Sequence, residues 1–178
     1  MIELIKGNLL KQDAEALVNT VNCVGVMGRG IALQFRKAFP DNFKQYESAC
    51  ERGEVKPGSM FTVDTHNTSN PRYIINFPTK RHWKGKSRIE DIDSGLNALI
   101  KEIKEKKINS IAIPALGCGL GGLNWNDVLP KIKAAFSDLP NVKVLILEPS
   151  GTPIAEEIAK SEKIPNMTEG RASLICLY

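Results

Sequence analysis

Cysteine and histidine are too few and too scattered to staple this chain together. Cys23, Cys50, Cys118 and Cys176 form no C-x-x-C pair, and His66 and His82 are the only histidines. A structural zinc site and a disulfide framework are therefore excluded, and reduced, buried thiols are expected. Also missing is any apolar run long enough to span a bilayer, and Met1 leads at once into the charged, alternating segment Ile2-Glu3-Leu4-Ile5-Lys6 rather than a signal peptide. A cytoplasmic protein without a membrane partner is expected. An excess of one charge is lacking too: 24 Lys+Arg against 20 Asp+Glu leave +4, which permits a polyanionic partner without predicting one. At 178 residues a single domain can bury a full core with no covalent or metal staple.

What is present is a regular alternation of two periods. Ile2 to Lys6, Ala16 to Asn19, Met60 to Asp64, Tyr73 to Phe77, Ser110 to Pro114 and Val142 to Leu147 are short β-branched runs that predict strands. Gly30 to Phe39, Asn42 to Arg52, Glu90 to Lys106 and Trp125 to Phe136 carry apolar residues three or four apart and predict helices, with stops at Pro40, Gly53 and Pro140. The sum is an α/β sandwich. The runs at Ser110 and Val142 are almost wholly apolar, as central strands covered on both faces must be. A further helix-like segment is expected to Lys163, followed by a tail, residues 164–178, that ends mid-pattern as though a longer protein continued beyond it.

Two glycine-rich loops follow strand-like runs, at the strand ends where α/β sheets bind ligands. The first, Gly25-Val26-Met27-Gly28-Arg29-Gly30-Ile31-Ala32, fits neither the dinucleotide fingerprint nor the Walker phosphate loop. Its backbone N–H groups can still approach an anion at a helix start, although a plain turn and helix cap would look the same. The second places Gly117, Gly119, Gly121 and Gly122 around Cys118 and Leu120, before Leu123. That is more glycine than a tight turn needs, and a close-approach ligand clamp explains it better. Asn22, between strand and first loop, suits a ribose diol or a turn equally. Elsewhere Asn76-Phe77-Pro78-Thr79-Lys80 ends in one candidate reactive amine, and Arg81, His82, Trp83, Lys84, Lys86 and Arg88 follow. Cations around one flat ring suit a single nucleic-acid strand, whereas the plainer alternative is a solvated loop with Trp83 folded inward.

Three stretches together resemble the macrodomains, ADP-ribose-binding modules: Gly7-Asn8-Leu9, Val18 to Ala32, and Pro114 to Trp125. Asn76 to Trp83 and Met167 to Ala172 are similar to the DarG-type branch, antitoxins that remove ADP-ribose from thymidine in single-stranded DNA. The resemblance implies a three-layer α/β/α sandwich around a mixed, mostly parallel sheet of about six strands, over residues 1–163. It implies that Asn8 and Leu9 meet the adenine, with Asn8 standing where many relatives use aspartate, and that Pro149 covers the ring. The diphosphate falls to Gly28, Arg29, Gly30 and Ile31 and to Gly117, Cys118, Gly119, Leu120, Gly121, Gly122 and Leu123. Asn22 then holds the distal ribose, beside Thr79 and the catalytic Lys80. Arg81, His82, Trp83 and Lys84 are the expected DNA contacts. Relatives of the terminal ADP-ribose glycohydrolase type pair the lysine with a second-loop aspartate, whereas Gly121 occupies that position here. A monomer needing neither metal nor cofactor is implied, with a DarT-like toxin as partner through a region beyond this chain. Two rivals are a non-catalytic ADP-ribose reader and a glycohydrolase acting on glutamate-linked ADP-ribose in proteins.

Overall fold

The computed structural model describes residues 1–149, and the helix expected to Lys163 and the tail 164–178 lie outside the described residues. Six strands form one sheet: β1 (Ile2–Ile5), β2 (Ala16–Val21), β3 (Phe61–Asp64), β4 (Tyr73–Pro78), β5 (Ser110–Ile113) and β6 (Lys143–Leu147). Their order is β1-β6-β5-β2-β4-β3. Every neighbouring pair is parallel except β3 with β4, an antiparallel edge. This is the mixed, mostly parallel six-stranded sheet expected. Four helices cover it: α1 (Gly30–Ala38), α2 (Pro40–Glu51), α3 (Ile89–Lys106) and α4 (Trp125–Ala135).

Alternation along the strands explains the three layers. In β2, Ala16 and Val18 face α3 and α4 with Ile111 and Ile113 of β5 and Val144 and Ile146 of β6. The residues between them, Leu17, Ala112, Leu145 and Leu147, join Phe35 of α1 on the opposite face. One register slip would exchange the two sets. On the first face Gly95 of α3 lies against Phe77 of β4, and a side chain there would collide with the ring. Strand β4 is thereby drawn close under α3.

Two boundaries differ from expectation by two residues, and the others by at most one. Strand β2 runs on through Thr20 to Val21, because its parallel register with β4 continues to Val21↔Pro78. The polar Asn19 is fully buried; its Nδ2 donates to Asn76 Oδ1 at 3.2 Å, while its Oδ1 has no partner among the described residues. Asn76 in turn donates to Asn42 Oδ1 of α2 at 2.9 Å and to the Phe61 carbonyl at 3.0 Å. Helix α2 starts at Pro40 rather than Asn42. Proline's missing N–H costs nothing in a first turn, so the residue that stops α1 also opens α2.

Candidate active site at the carboxyl ends of β5, β2 and β4

These three strands are neighbours and parallel, so their carboxyl ends emerge side by side. β2 delivers the first glycine loop, β5 the second, and β4 delivers Lys80. The loops meet as expected: a side chain on Gly30 would start 3.6 Å from Leu120 Cδ1.

The first loop is shaped by Asn22, which is 7% exposed. Its Nδ2 donates to the Val26 carbonyl at 2.7 Å, and its Oδ1 accepts from the N–H groups of Val24 and Val26 at 3.0 and 3.3 Å. The buried Tyr46 hydroxyl, from α2, lies 2.8 Å from the Asn22 carbonyl and 2.9 Å from its Oδ1. The turn-forming role of Asn22 is thus present, and one hydrogen of its Nδ2 has no acceptor among the described residues. Met27 plugs the loop into the core, fully buried beside Asn19 Nδ2. Gly28, Arg29 and Gly30 remain exposed at the start of α1. Arg29, the N-cap, supplies no side-chain acceptor to the first turn. The N–H groups of Gly28 to Ile31 have no acceptor among the described residues, the arrangement that can receive an anion.

In the second loop, Gly117 and Gly122 adopt φ of +71° and +82°, a backbone that a side chain would strain. Leu123 N–H donates to the Gly117 carbonyl at 2.9 Å, Gly122 N–H to Gly119 at 3.2 Å, and Cys118 N–H to Ala115 at 3.1 Å. The N–H groups of Gly119, Leu120 and Gly121 have no partner among the described residues, and Gly119 and Leu120 are exposed. Cys118 keeps its thiol protonated, because burial raises its pKa to about 11.

Lys80 has its backbone anchored and its amine at the rim. Thr79 and Lys80 both donate their N–H groups to the Val21 carbonyl, at 2.9 and 3.3 Å, so the buried Thr79 offers a ligand no free N–H. The Cys23 thiol donates to the Lys80 carbonyl at 3.5 Å. Lys80 Nζ donates to the Trp83 carbonyl at 3.3 Å. Partial burial, then the charges of Arg29 and Lys86, hold the Lys80 ammonium pKa below its ordinary value. Amine, first loop and basic segment therefore share one electrostatic neighbourhood.

The basic segment is more committed than its composition suggests. Arg81 makes a two-pronged contact with the buried Asp91 of α3, Nε to Oδ2 and Nη2 to Oδ1, each at 3.1 Å. Arg81 therefore ties the Lys80 segment to α3 and is only partly free for a phosphate. Trp83 is 43% exposed, which overturns the inward-folded alternative. His82 stacks on it at 5.5 Å between centroids, and Lys84 Nζ stands 5.0 Å from its ring centre. Asn8, expected at an adenine, uses its Oδ1 to cap a short 3-10 turn (Leu9–Lys11) by accepting from Leu10 N–H at 2.9 Å. Leu9 is buried. Pro149 lies just past the first compact unit, Met1–Glu148.

Ser87, Asp91 and Tyr46 carry no motif and were not anticipated. Ser87 donates its N–H to the Gly121 carbonyl at 3.0 Å, and its side chain fills the space beside Gly117 and Gly121. A second-loop aspartate at position 121 has no room. The only available signal was glycine where a carboxylate was expected.

Together these features define an α/β/α module that presents two sets of unpartnered backbone amides and one lysine amine at the same end of its sheet. The Macro domain family profile matches residues 18–132, and the chain belongs to that family, in its DarG-type branch. The macrodomain of Mycobacterium tuberculosis DarG superposes with a TM-score of 0.83 at 54% identity, over 84% of this chain and 98% of that one. Thermosipho africanus DarTG in complex with ADP-ribose gives a TM-score of 0.78 at 33% identity, over 84% of this chain and 42% of that one. The DNA ADP-ribosyl glycohydrolase of Thermus aquaticus is 48% identical over 178 residues, all of this chain and 49% of that protein. The chain thus spans about half the length of the curated relatives it matches.

Proposed function

We propose that this chain is the catalytic macrodomain of a DNA ADP-ribosyl glycohydrolase. It removes ADP-ribose from thymidine in single-stranded DNA and so reverses the action of a cognate DNA ADP-ribosyltransferase toxin in the cytoplasm. The observation that carries the reading is Lys80. A pure reader needs the glycine loops, but it does not need a backbone-anchored lysine whose amine is driven toward neutrality by burial, Arg29 and Lys86. The identity with the Thermus aquaticus and Mycobacterium tuberculosis glycohydrolases supports the same conclusion.

In the proposed reaction the diphosphate sits on the free N–H groups at Gly28 to Ile31 and Gly119 to Gly121. The distal ribose is brought to Asn22 and Lys80. The neutral Lys80 amine attacks the anomeric carbon, and the bond to the thymine ring nitrogen breaks with its electron pair leaving on the base. The imide anion so formed is resonance-stabilised and takes a proton from the new ammonium. Water then adds to the anomeric carbon, releasing ADP-ribose and restoring the amine. No acidic residue lies between Gly117 and Leu123, so this route calls for no second-loop carboxylate. That absence, with Ser87 filling the space, argues against glutamate-linked ADP-ribose as substrate. Contact with the toxin itself is assigned to a region outside this chain.

The test is release of ADP-ribose from a thymidine-modified single-stranded oligonucleotide, beside a glutamate-modified protein and the Lys80→Ala variant. The expected result is release from DNA alone, abolished in Lys80→Ala, with ADP-ribose affinity within a few-fold of wild type. Normal turnover by Lys80→Ala would remove the lysine from the mechanism. Binding without release by the wild type would make the chain a reader.

A further inference from the structure

Of the cations between Arg81 and Arg88, two are already engaged: Arg81 by Asp91, and Lys84 by the Trp83 ring. Lys86 is placed differently. Its neighbour Ser87 is latched to the second glycine loop through the Gly121 carbonyl, and Ser87 is 7% exposed with its Oγ unpartnered. This latch lays the Lys86 stem along Gly122, where a Cβ would stand 3.5 Å from Lys86 Cδ and 3.6 Å from its Nζ. The lysine stem thus lies in ordinary van der Waals range of Gly122, whose positive φ of +82° favours glycine. None of Arg29, Lys80 and Lys86 forms an ion pair among the described residues.

The diphosphate of ADP-ribose does not require Lys86. The free N–H groups lie at Gly119 to Gly121, whereas Gly122 turns its N–H inward to Gly119. Lys86 stands past that stretch, on the segment that also carries the exposed Trp83. A substrate attached to a nucleic-acid strand brings one more anion than free ADP-ribose, the phosphodiester flanking the modified nucleoside. We propose that Lys86, held on Gly122 by the Ser87 latch, binds that phosphodiester and sets the register of the strand on the site. The proposal deepens the DNA glycohydrolase reading and rests on it for the identity of the strand.

Binding is measured in the Lys80→Ala background, which prevents turnover, with and without Lys86→Gln or Lys86→Arg. The ligands are free ADP-ribose and a single-stranded oligonucleotide carrying ADP-ribose on one thymidine. For Lys86→Gln, affinity for the oligonucleotide falls roughly fivefold at low salt, and the slope of log K against log salt becomes shallower by about 0.7. Lys86→Arg retains both values, and free ADP-ribose binds all three proteins alike. An equal loss for free ADP-ribose would move Lys86 into the diphosphate site, and an unchanged salt slope would make it a solvated bystander; either overturns the proposal. Release of ADP-ribose by the wild type is scored separately. An inactive wild type with the Lys86 effect intact refutes hydrolysis and leaves the strand contact standing.

Discussion

Gly121→Ala adds one methyl group at the point where the two halves of the site touch. The new Cβ would collide with Ser87 Oγ and stand 2.5 Å from the Gly117 carbonyl oxygen and 2.8 Å from Ser87 Cβ. Gly121 itself is buried, so the methyl cannot turn to solvent. Overpacking of this kind costs roughly 1–3 kcal/mol, and the upper end applies because one obstacle is backbone that cannot change rotamer. At about 3 kcal/mol, the melting temperature of a chain this size falls by roughly 6–12 °C. Ser87→Gly in the same protein removes two of the three contacts and leaves the carbonyl. It should therefore recover about half of the loss, with a coupling of roughly 1–2 kcal/mol in the double-mutant cycle. The assay is thermal unfolding of the four proteins, followed by ADP-ribose release from the modified oligonucleotide. Release should fall in Gly121→Ala even well below its melting point, because displacing Ser87 displaces the segment that begins at Lys80. A Gly121→Ala protein that melts within about 2 °C of wild type and turns over normally would refute the wedge. It would also reopen the position to an aspartate and, with it, to glutamate-linked substrates.

Three further outcomes follow from the site geometry. Tyr46→Phe removes the hydroxyl that reaches Asn22; it should cost about 1 kcal/mol of stability and weaken ADP-ribose binding in calorimetry, whereas unchanged affinity would mean that the first loop holds its shape without α2. Trp83→Ala should lower affinity for the modified oligonucleotide by roughly 1–3 kcal/mol if a base stacks there and leave free ADP-ribose untouched; equal affinity for the oligonucleotide would reject the stacking platform. Arg29→Gln removes a positive charge that helps hold the Lys80 pKa down, so the pKa rises and less neutral amine is present at a given pH. The rising limb of kcat/KM against pH should then move to higher pH and meet the wild-type curve on the alkaline plateau; a limb that stays in place would exclude neutral Lys80 as the titrating group.

How much of this could be foreseen depended on whether the deciding contact was local. The period-two alternation in β5 and β6 and the three-to-four spacing in α3 are properties of short windows, and both survive in the fold because burial acts on the same windows. The glycine loops were legible for a similar reason, since positive φ and close approach leave their mark in the sequence itself. Asn19 misled because its partner Asn76, itself paired with Asn42 of α2, comes from another strand, so that a polar residue fit for a turn became part of the buried body of β2. The basic segment shows the same limit at the site. Composition announces cations beside an aromatic ring, yet it treats Arg81, Lys84 and Lys86 as equivalent. Packing separates them: Asp91 engages the first, the Trp83 ring the second, and the Ser87 latch lays the third on Gly122. The Ser87 latch also explains why the family's aspartate position is glycine here, so the residue that appeared to be missing and the lysine that appeared ordinary are two consequences of one contact.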